Sequence, residues 1–191
     1  MGKATGVFGG WVAFCCIVYF AIYRGFIFPM FGTTGDEAFI AFCALALFFG
    51  QDGNSKKLLN FACSGVCGAI WGWIFVLGVG VLMPIFNYNF LPAALIDIFV
   101  FTALAIVVHT FILSKTIFNN MAYVFLGVAT TFSGTAAVGV LGIVHISFLL
   151  ICGMLIGTAS TALAGTIFGK FGPPPPPQEK EAAGEKVSLS K

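Results

Sequence analysis

The sequence predicts an all-α membrane protein: a bundle of six transmembrane helices arranged as two inverted three-helix repeats with short or broken second helices. Three observations predict it: the composition, the spacing of polar punctuation along the apolar chain, and a faint self-similarity between the halves. Hydrophobic residues make up 59% of the chain and charged residues 8%, an apolar share above that of ordinary soluble domains. A crossing helix needs about 20 apolar residues, so the apolar chain up to Phe171 has room for about six.

Taken in order, the first apolar run lies near Phe8 to Phe28. Lys3 precedes it and no small-residue cleavage site follows, so it is expected to stay as helix 1 rather than be removed as a signal. Pro29 and "GTTGDE" from Gly32 close it. Helix 2 is expected near Asp36 to Phe49. Its uncharged run, Ala38 to Phe49, rises only about 18 Å, less than the hydrocarbon layer of about 30 Å. "GQDGNSKK" from Gly50 is a turn, followed by helix 3 near Leu58 to Leu82. "MPIFNYNFLP" from Met83 leads into helix 4, near Pro92 to Leu113, with Pro92 suited to a first turn, where its missing N–H costs nothing. "SKTIFNN" from Ser114 separates helix 4 from Met121 to Gly169, which helices 5 and 6 share. The transmembrane domain therefore covers residues 1–171. Residues 172–191, with five consecutive prolines, are expected to form a disordered cytoplasmic tail, either simply solvated or docking a partner.

Charge sets the expected orientation. With six spans, Lys3, Lys56, Lys57, Lys115 and Lys170 share one side and Arg24 lies toward the other, so both termini are expected in the cytoplasm. The net charge of +2 is carried by loops and tail, and nucleic acid is not an expected partner.

At an offset of about 85 residues, helix 1 falls on helix 4, Phe49-Gly50 on Ser133-Gly134, and Gly68 and Gly72 on Gly153 and Gly157. The repeats run over about 8–82 and 92–169. An odd number of spans per repeat inverts the second copy, as in many transporters and channels. A short helix 2 and a glycine-interrupted "VATTFSGTAAVG" in its counterpart read as half-helices meeting near the bilayer middle.

Two kinds of residue then stand out. Small residues recur along the two third helices, Ser64, Gly68 and Gly72 in one and Gly153, Gly157, Thr161 and Gly165 in the other, a pattern that lets helix backbones approach closely. The second kind is polar. Thr130, Thr131, Ser133, Gly134 and Thr135 surround the expected break, with Gly50 at the matching position. Their hydroxyls either bond back to carbonyls of their own helix or, with the freed backbone, bind a small polar solute. Asp97, His109 and His145 are ionisable residues inside the expected spans, where such groups are costly. Asp97 and His145 are expected near the outer surface, close enough to pair, and His109 is given a structural role. Trp71, beside Gly72, is a candidate pocket wall. The six cysteines lie in apolar runs and read as packing residues. No phosphate-cradling loop, HExxH or nucleophile constellation is present, so no enzyme, metal or cofactor is expected.

The stretch "FIAFCALALFFGQDGNSKKLLNFACSGVCGAIWGWI", Phe39 to Ile74, with "YVFLGVATTFSG", Tyr123 to Gly134, resembles the YcdZ-like bacterial inner-membrane proteins. Ser64, Gly65, Val66 and Trp71 carry the first part, and Phe125, Gly127, Thr131, Phe132, Ser133 and Gly134 the second. The resemblance covers roughly Phe39 to Gly169. It implies a six-helix bundle in the bacterial inner membrane and brings no substrate. The expectation is a channel or facilitator for a small polar solute the size of urea, formate or a short metabolite, working passively among membrane lipid and forming a homo-oligomer. The alternative is an assembly protein that oligomerises through the glycine strips and recruits partners by its tail.

Overall fold

A computed structural model describes residues 2–31, 37–132 and 139–172. Ser133, Gly134, Thr135 and the proline-rich tail lie outside the described residues.

Six helices follow one another among the described residues. α1 (Gly2–Ile22) passes through a π-helical turn, Tyr23–Ile27, into a last turn, Phe28–Phe31. α2 (Phe39–Gly50) is short. α3 (Leu58–Leu82) is long and is flanked by 3₁₀ turns at Ser55–Lys57 and Met83–Phe86. α4 (Phe90–Val107) ends in a second π turn, Val108–Ile112. α5 (Met121–Thr131) is short and α6 (Gly139–Phe171) long. Asparagine starts three of these elements. The side chains of Asn54, Asn89 and Asn120 accept from the backbone N–H groups of Lys56, Leu91 and Tyr123 at 3.0, 3.3 and 3.2 Å, each satisfying a donor that a helix start leaves over. Among the described residues, four stretches are long and apolar enough to cross a membrane: Lys3–Met30, Ser55–Phe86, Phe90–Ile112 and Val140–Phe171; α2 and α5 are shorter apolar helices.

Close contacts fix the helix directions. Trp11 donates to the Ala159 carbonyl at 3.3 Å while Tyr23 meets His145, so α1 and α6 run antiparallel. Gly78 faces Asp97 and Trp71 faces His109, which makes α3 and α4 antiparallel. Gly68 rests on the Val124 carbonyl and Gly72 on Thr131, so α5 runs alongside α3 in the same sense. Gly153 rests on the Ala41 carbonyl and Gly157 on the Phe48 ring, so α2 runs alongside α6 in the same sense. α1 thus packs on α6, α4 on α3, and α3 against α6 between them. The chain start, the 51–57 and 113–120 connections and Phe171 gather at one end of the bundle, with Lys3, Lys56, Lys57, Lys115 and Lys170. Glu37 and the 83–89 connection lie at the other.

The small-residue strips are used within this chain. A side chain on Gly68 would strike backbone of α5, and one on Gly127 would strike the Gly65 carbonyl and the Ala69 nitrogen, a backbone-on-backbone contact that only glycine permits. Ser64 is buried in the same seam, and Thr161 reaches the turn after α2, where its Cγ2 lies 3.0 Å from where a side chain on Gly53 would begin. One expected packing position is corrected: nothing lies within 4 Å of the place a side chain would take on Gly165, and the space beside Gly50 is likewise open. Gly165 is two turns beyond Gly157, past the C-terminal end of α2, so the strip there has no helix to meet. Between the strips an aromatic core joins the helices. Phe61 and Tyr123 stack at 4.7 Å, Phe48 meets Phe61 edge-on at 6.2 Å, and the Tyr123 hydroxyl donates to the Ala44 carbonyl at 3.4 Å.

Candidate functional site

Two buried polar clusters occupy opposite ends of the bundle. The first, away from the lysines, joins Tyr23 in the α1 π turn, Glu37 just ahead of α2, and His145 in α6. The residues are 0%, 2% and 0% exposed. His145 Nδ1 lies 2.8 Å from Glu37 Oε2, and Nε2 lies 3.1 Å from the Tyr23 hydroxyl. The Nδ1–Glu37 approach is a close charge pair without hydrogen-bond alignment, whereas Nε2 and the Tyr23 hydroxyl are within hydrogen-bond geometry. The tyrosine and imidazole rings also stack at 6.1 Å, with Tyr19 stacked on Tyr23 at 5.8 Å. Burial pushes the Glu37 carboxyl above its ordinary value. The arrangement is a buried cluster of three polar side chains at one end of an apolar bundle, able to hold a proton.

The second cluster, at the lysine end, forms where the α4 π turn meets the head of α5. His109, 1% exposed, sets its Nδ1 2.6 Å from the Phe118 carbonyl, which identifies Nδ1 as the protonated nitrogen. Nε2 then accepts from the Trp71 indole at 3.1 Å, with Cys67 Sγ at 3.6 Å. Asn60 donates to the Ile117 carbonyl and to Asn119 Oδ1 at 3.1 and 2.8 Å. The Asn120 N–H donates to the Ser64 hydroxyl at 3.1 Å, and its side chain exchanges hydrogen bonds with Gln51. Lys57, Asn60, Lys115 and Asn120 line a depression of about 550 Å³ over this cluster.

The expected site residues are distributed differently from the sequence reading. His145 is buried and paired with Glu37, and Asp97 is on another face of the bundle against Gly78, so the expected Asp97–His145 pair does not form. Thr130 Oγ1 bonds the Leu126 and Gly127 carbonyls at 2.9 and 3.1 Å, and Thr131 Oγ1 bonds Gly127 at 2.9 Å. For these two hydroxyls the back-bonding reading holds. Thr131 also fills the space over Gly72, which makes it a packing residue. The Trp71 indole, expected as a pocket wall, donates to His109 Nε2. The short helices do not meet end to end: Gln51, just past Gly50, bonds Asn120 at the head of α5, so the end of one helix lies beside the start of the other. Sequence reasoning missed Glu37 and Tyr23. Glu37 sat in "GTTGDE", read as a turn, although an acidic residue beside an unusually short apolar helix was a usable signal.

Long apolar helices packed around buried polar clusters define a helical membrane protein. Within that class the chain belongs to a family described as proteins of unknown function, DUF1097, which matches residues 16–165 and so takes in part of α1 as well as α2 to α5 and most of α6. No curated protein and no solved structure matches it.

Proposed function

We propose that the protein is a facilitator for a small polar solute, of the size of urea, formate or a short metabolite, in the bacterial inner membrane alongside the YcdZ-like proteins. In this reading the chain crosses six times, α2 and α5 included, as two inverted three-helix halves with both termini in the cytoplasm. Copies of the bundle associate as a homo-oligomer.

The observation that carries the reading is the equivalence of the two clusters. Each combines a π turn closing the first helix of one half, the head of that half's short helix, and the third helix of the other half. The π turns Tyr23–Ile27 and Val108–Ile112 stand at the same offset of about 85 residues as the glycine strips. Ala41 and Phe48 take the places on α6 that Val124 and Thr131 take on α3. Polar clusters at both ends, with the rings of Phe48, Phe61 and Tyr123 packed beside the head of α5, suit passage of a small hydrogen-bonding molecule past a narrow gate. The lysines collected at one end support the orientation. The glycine strips support conduction over assembly through them, because Gly68, Gly72, Gly153 and Gly157 face helices of the same chain.

Vesicles containing purified protein are expected to re-swell in urea or formate several times faster than protein-free vesicles, with the rise abolished by His145→Gln. Stopped-flow light scattering makes the measurement. Equal rates with and without protein across a panel of small solutes would overturn the reading.

A further inference from the structure

The depression at the lysine end has a chemistry of its own. Its volume of about 550 Å³ falls in the ordinary range for a small-molecule site, about 300–1,000 Å³, and both polar and apolar groups are open to a ligand there. Lys57 enters the lining from the 3₁₀ turn ahead of α3 and Lys115 from the connection after α4, and both are exposed. Neither forms an ion pair among the described residues, and the lining holds no carboxylate; Asp52, the acidic residue described at this end, lies outside it. A concave surface carrying two lysines and no counter-charge concentrates anions.

The shape is set before any ligand arrives. Asn60 ties α3 to the Ile117 carbonyl and to Asn119, and Asn119 in turn donates to the Ser114 carbonyl at 2.7 Å. Thr116 donates to the Leu113 carbonyl at 2.8 Å and accepts from the Phe118 N–H at 3.2 Å. A site held in this way spares a ligand the cost of ordering it. α3 and α5 run in the same sense, so both begin at this end and add the positive ends of their dipoles to the two lysines. The Asn120 side chain claims the Tyr123 N–H, which leaves the N–H groups of Met121 and Ala122 without an intrahelical partner.

We propose that this depression binds a phosphate group, supplied either as free inorganic phosphate or as the phosphodiester of an anionic lipid headgroup. Lysine acts as a point charge with rotatable donors, which suits the tetrahedral oxygens of phosphate. A planar anion as small as formate would leave most of the volume empty. α3 and α4 are each long and apolar enough to cross a membrane, so the start of α3 and the end of α4 stand at a membrane face. Basic pockets between helices at that depth hold anionic headgroups. Leu59, Phe111, Ile112 and Ile117, 44–75% exposed, give apolar surface near the charges for the first part of an acyl chain. The proposal rests neither on solute flux nor on the number of crossings.

The test is isothermal titration calorimetry of the full-length protein in dodecylmaltoside at low ionic strength. The probes are dihexanoyl phosphatidylglycerol, dihexanoyl phosphatidylcholine and inorganic phosphate. Saturable binding of phosphatidylglycerol, of phosphate or of both is expected, weakened about fivefold in Lys57→Gln and about fivefold in Lys115→Gln, as for a single lysine near a membrane surface. Lys56→Gln removes the neighbouring lysine, which is outside the lining, and is expected to leave affinity unchanged. Competition between phosphatidylglycerol and phosphate shows one site for the shared group. Binding of the first alone assigns the site to lipid, and binding of the second alone assigns it to the free anion. The proposal is overturned if neither binds, if both bind without competing, or if phosphatidylcholine binds as tightly as phosphatidylglycerol. It is overturned equally if Lys56→Gln weakens binding as much as Lys57→Gln, which would show diffuse attraction to a charged end rather than a site.

Discussion

Gly68→Ala is expected to leave little folded protein, whereas Gly165→Ala folds as well as the wild type or better. The two glycines belong to equivalent strips, yet their surroundings differ. A methyl group on Gly68 would land on the Val124 carbonyl, which belongs to the backbone of α5 and cannot rotate away. α5 would have to lift off α3, opening the seam that also holds Gly127 against Gly65 and Ala69 and Thr131 against Gly72. Overpacking typically costs about 1–3 kcal/mol where side chains adjust; a backbone-on-backbone contact belongs at or beyond the top of that range. Gly165 has nothing within 4 Å, so alanine there brings only its better helix propensity, up to about 1 kcal/mol. Monodisperse yield and thermal unfolding followed by circular dichroism in one detergent give the comparison. Equal stability of the two variants would mean that α3 and α5 do not touch as described.

The second large effect is expected at the Glu37–His145 pair. Removing one partner of a buried pair typically costs about 3–5 kcal/mol, because the other is left buried without compensation. Glu37→Leu and His145→Leu are each expected to show a loss of that order, while the double variant loses clearly less than their sum. The shortfall is the coupling a double-mutant cycle reports. Additive losses would show that the two side chains act independently. A pH series adds a signed readout. Since burial raises the folded-state value of Glu37, its contribution is fully present below the ordinary glutamate range. It is lost as pH rises through the raised value. Glu37→Gln is expected to remove that slope, and a slope unchanged in the variant would assign the dependence to another group.

Much of the architecture was legible because it depends on local rules. Turn residues placed the helix ends, the short apolar runs announced α2 and α5, and spacing of four residues marked Gly68, Gly72, Gly153 and Gly157 as one-sided strips. Spacing reports a face and says nothing of what covers it, which is why Gly165 was expected to pack and does not. The clusters were harder to read. The Glu37–His145 contact joins residues more than a hundred positions apart, and the Tyr23 and His109 positions depend on π turns, which leave no mark in apolar periodicity. The threonines of α5 looked available for a solute because sequence cannot show whether a hydroxyl turns back to its own carbonyls. Here the i−4 carbonyls took both.

The whole reading depends on α2 and α5 carrying the chain across the bilayer. Single cysteines placed at Lys3, Lys56, Tyr88, Lys115 and Lys170 in a background with the native cysteines replaced, probed with a membrane-impermeant thiol reagent on intact cells and on inverted vesicles, test this most directly. The cysteine at Tyr88 is expected to react only from outside and the other four only from inside. Reaction of the Lys3 and Lys56 positions, or of the Lys115 and Lys170 positions, from opposite sides would contradict a crossing by α2 or by α5, and with it the placement of the two polar clusters at opposite membrane faces.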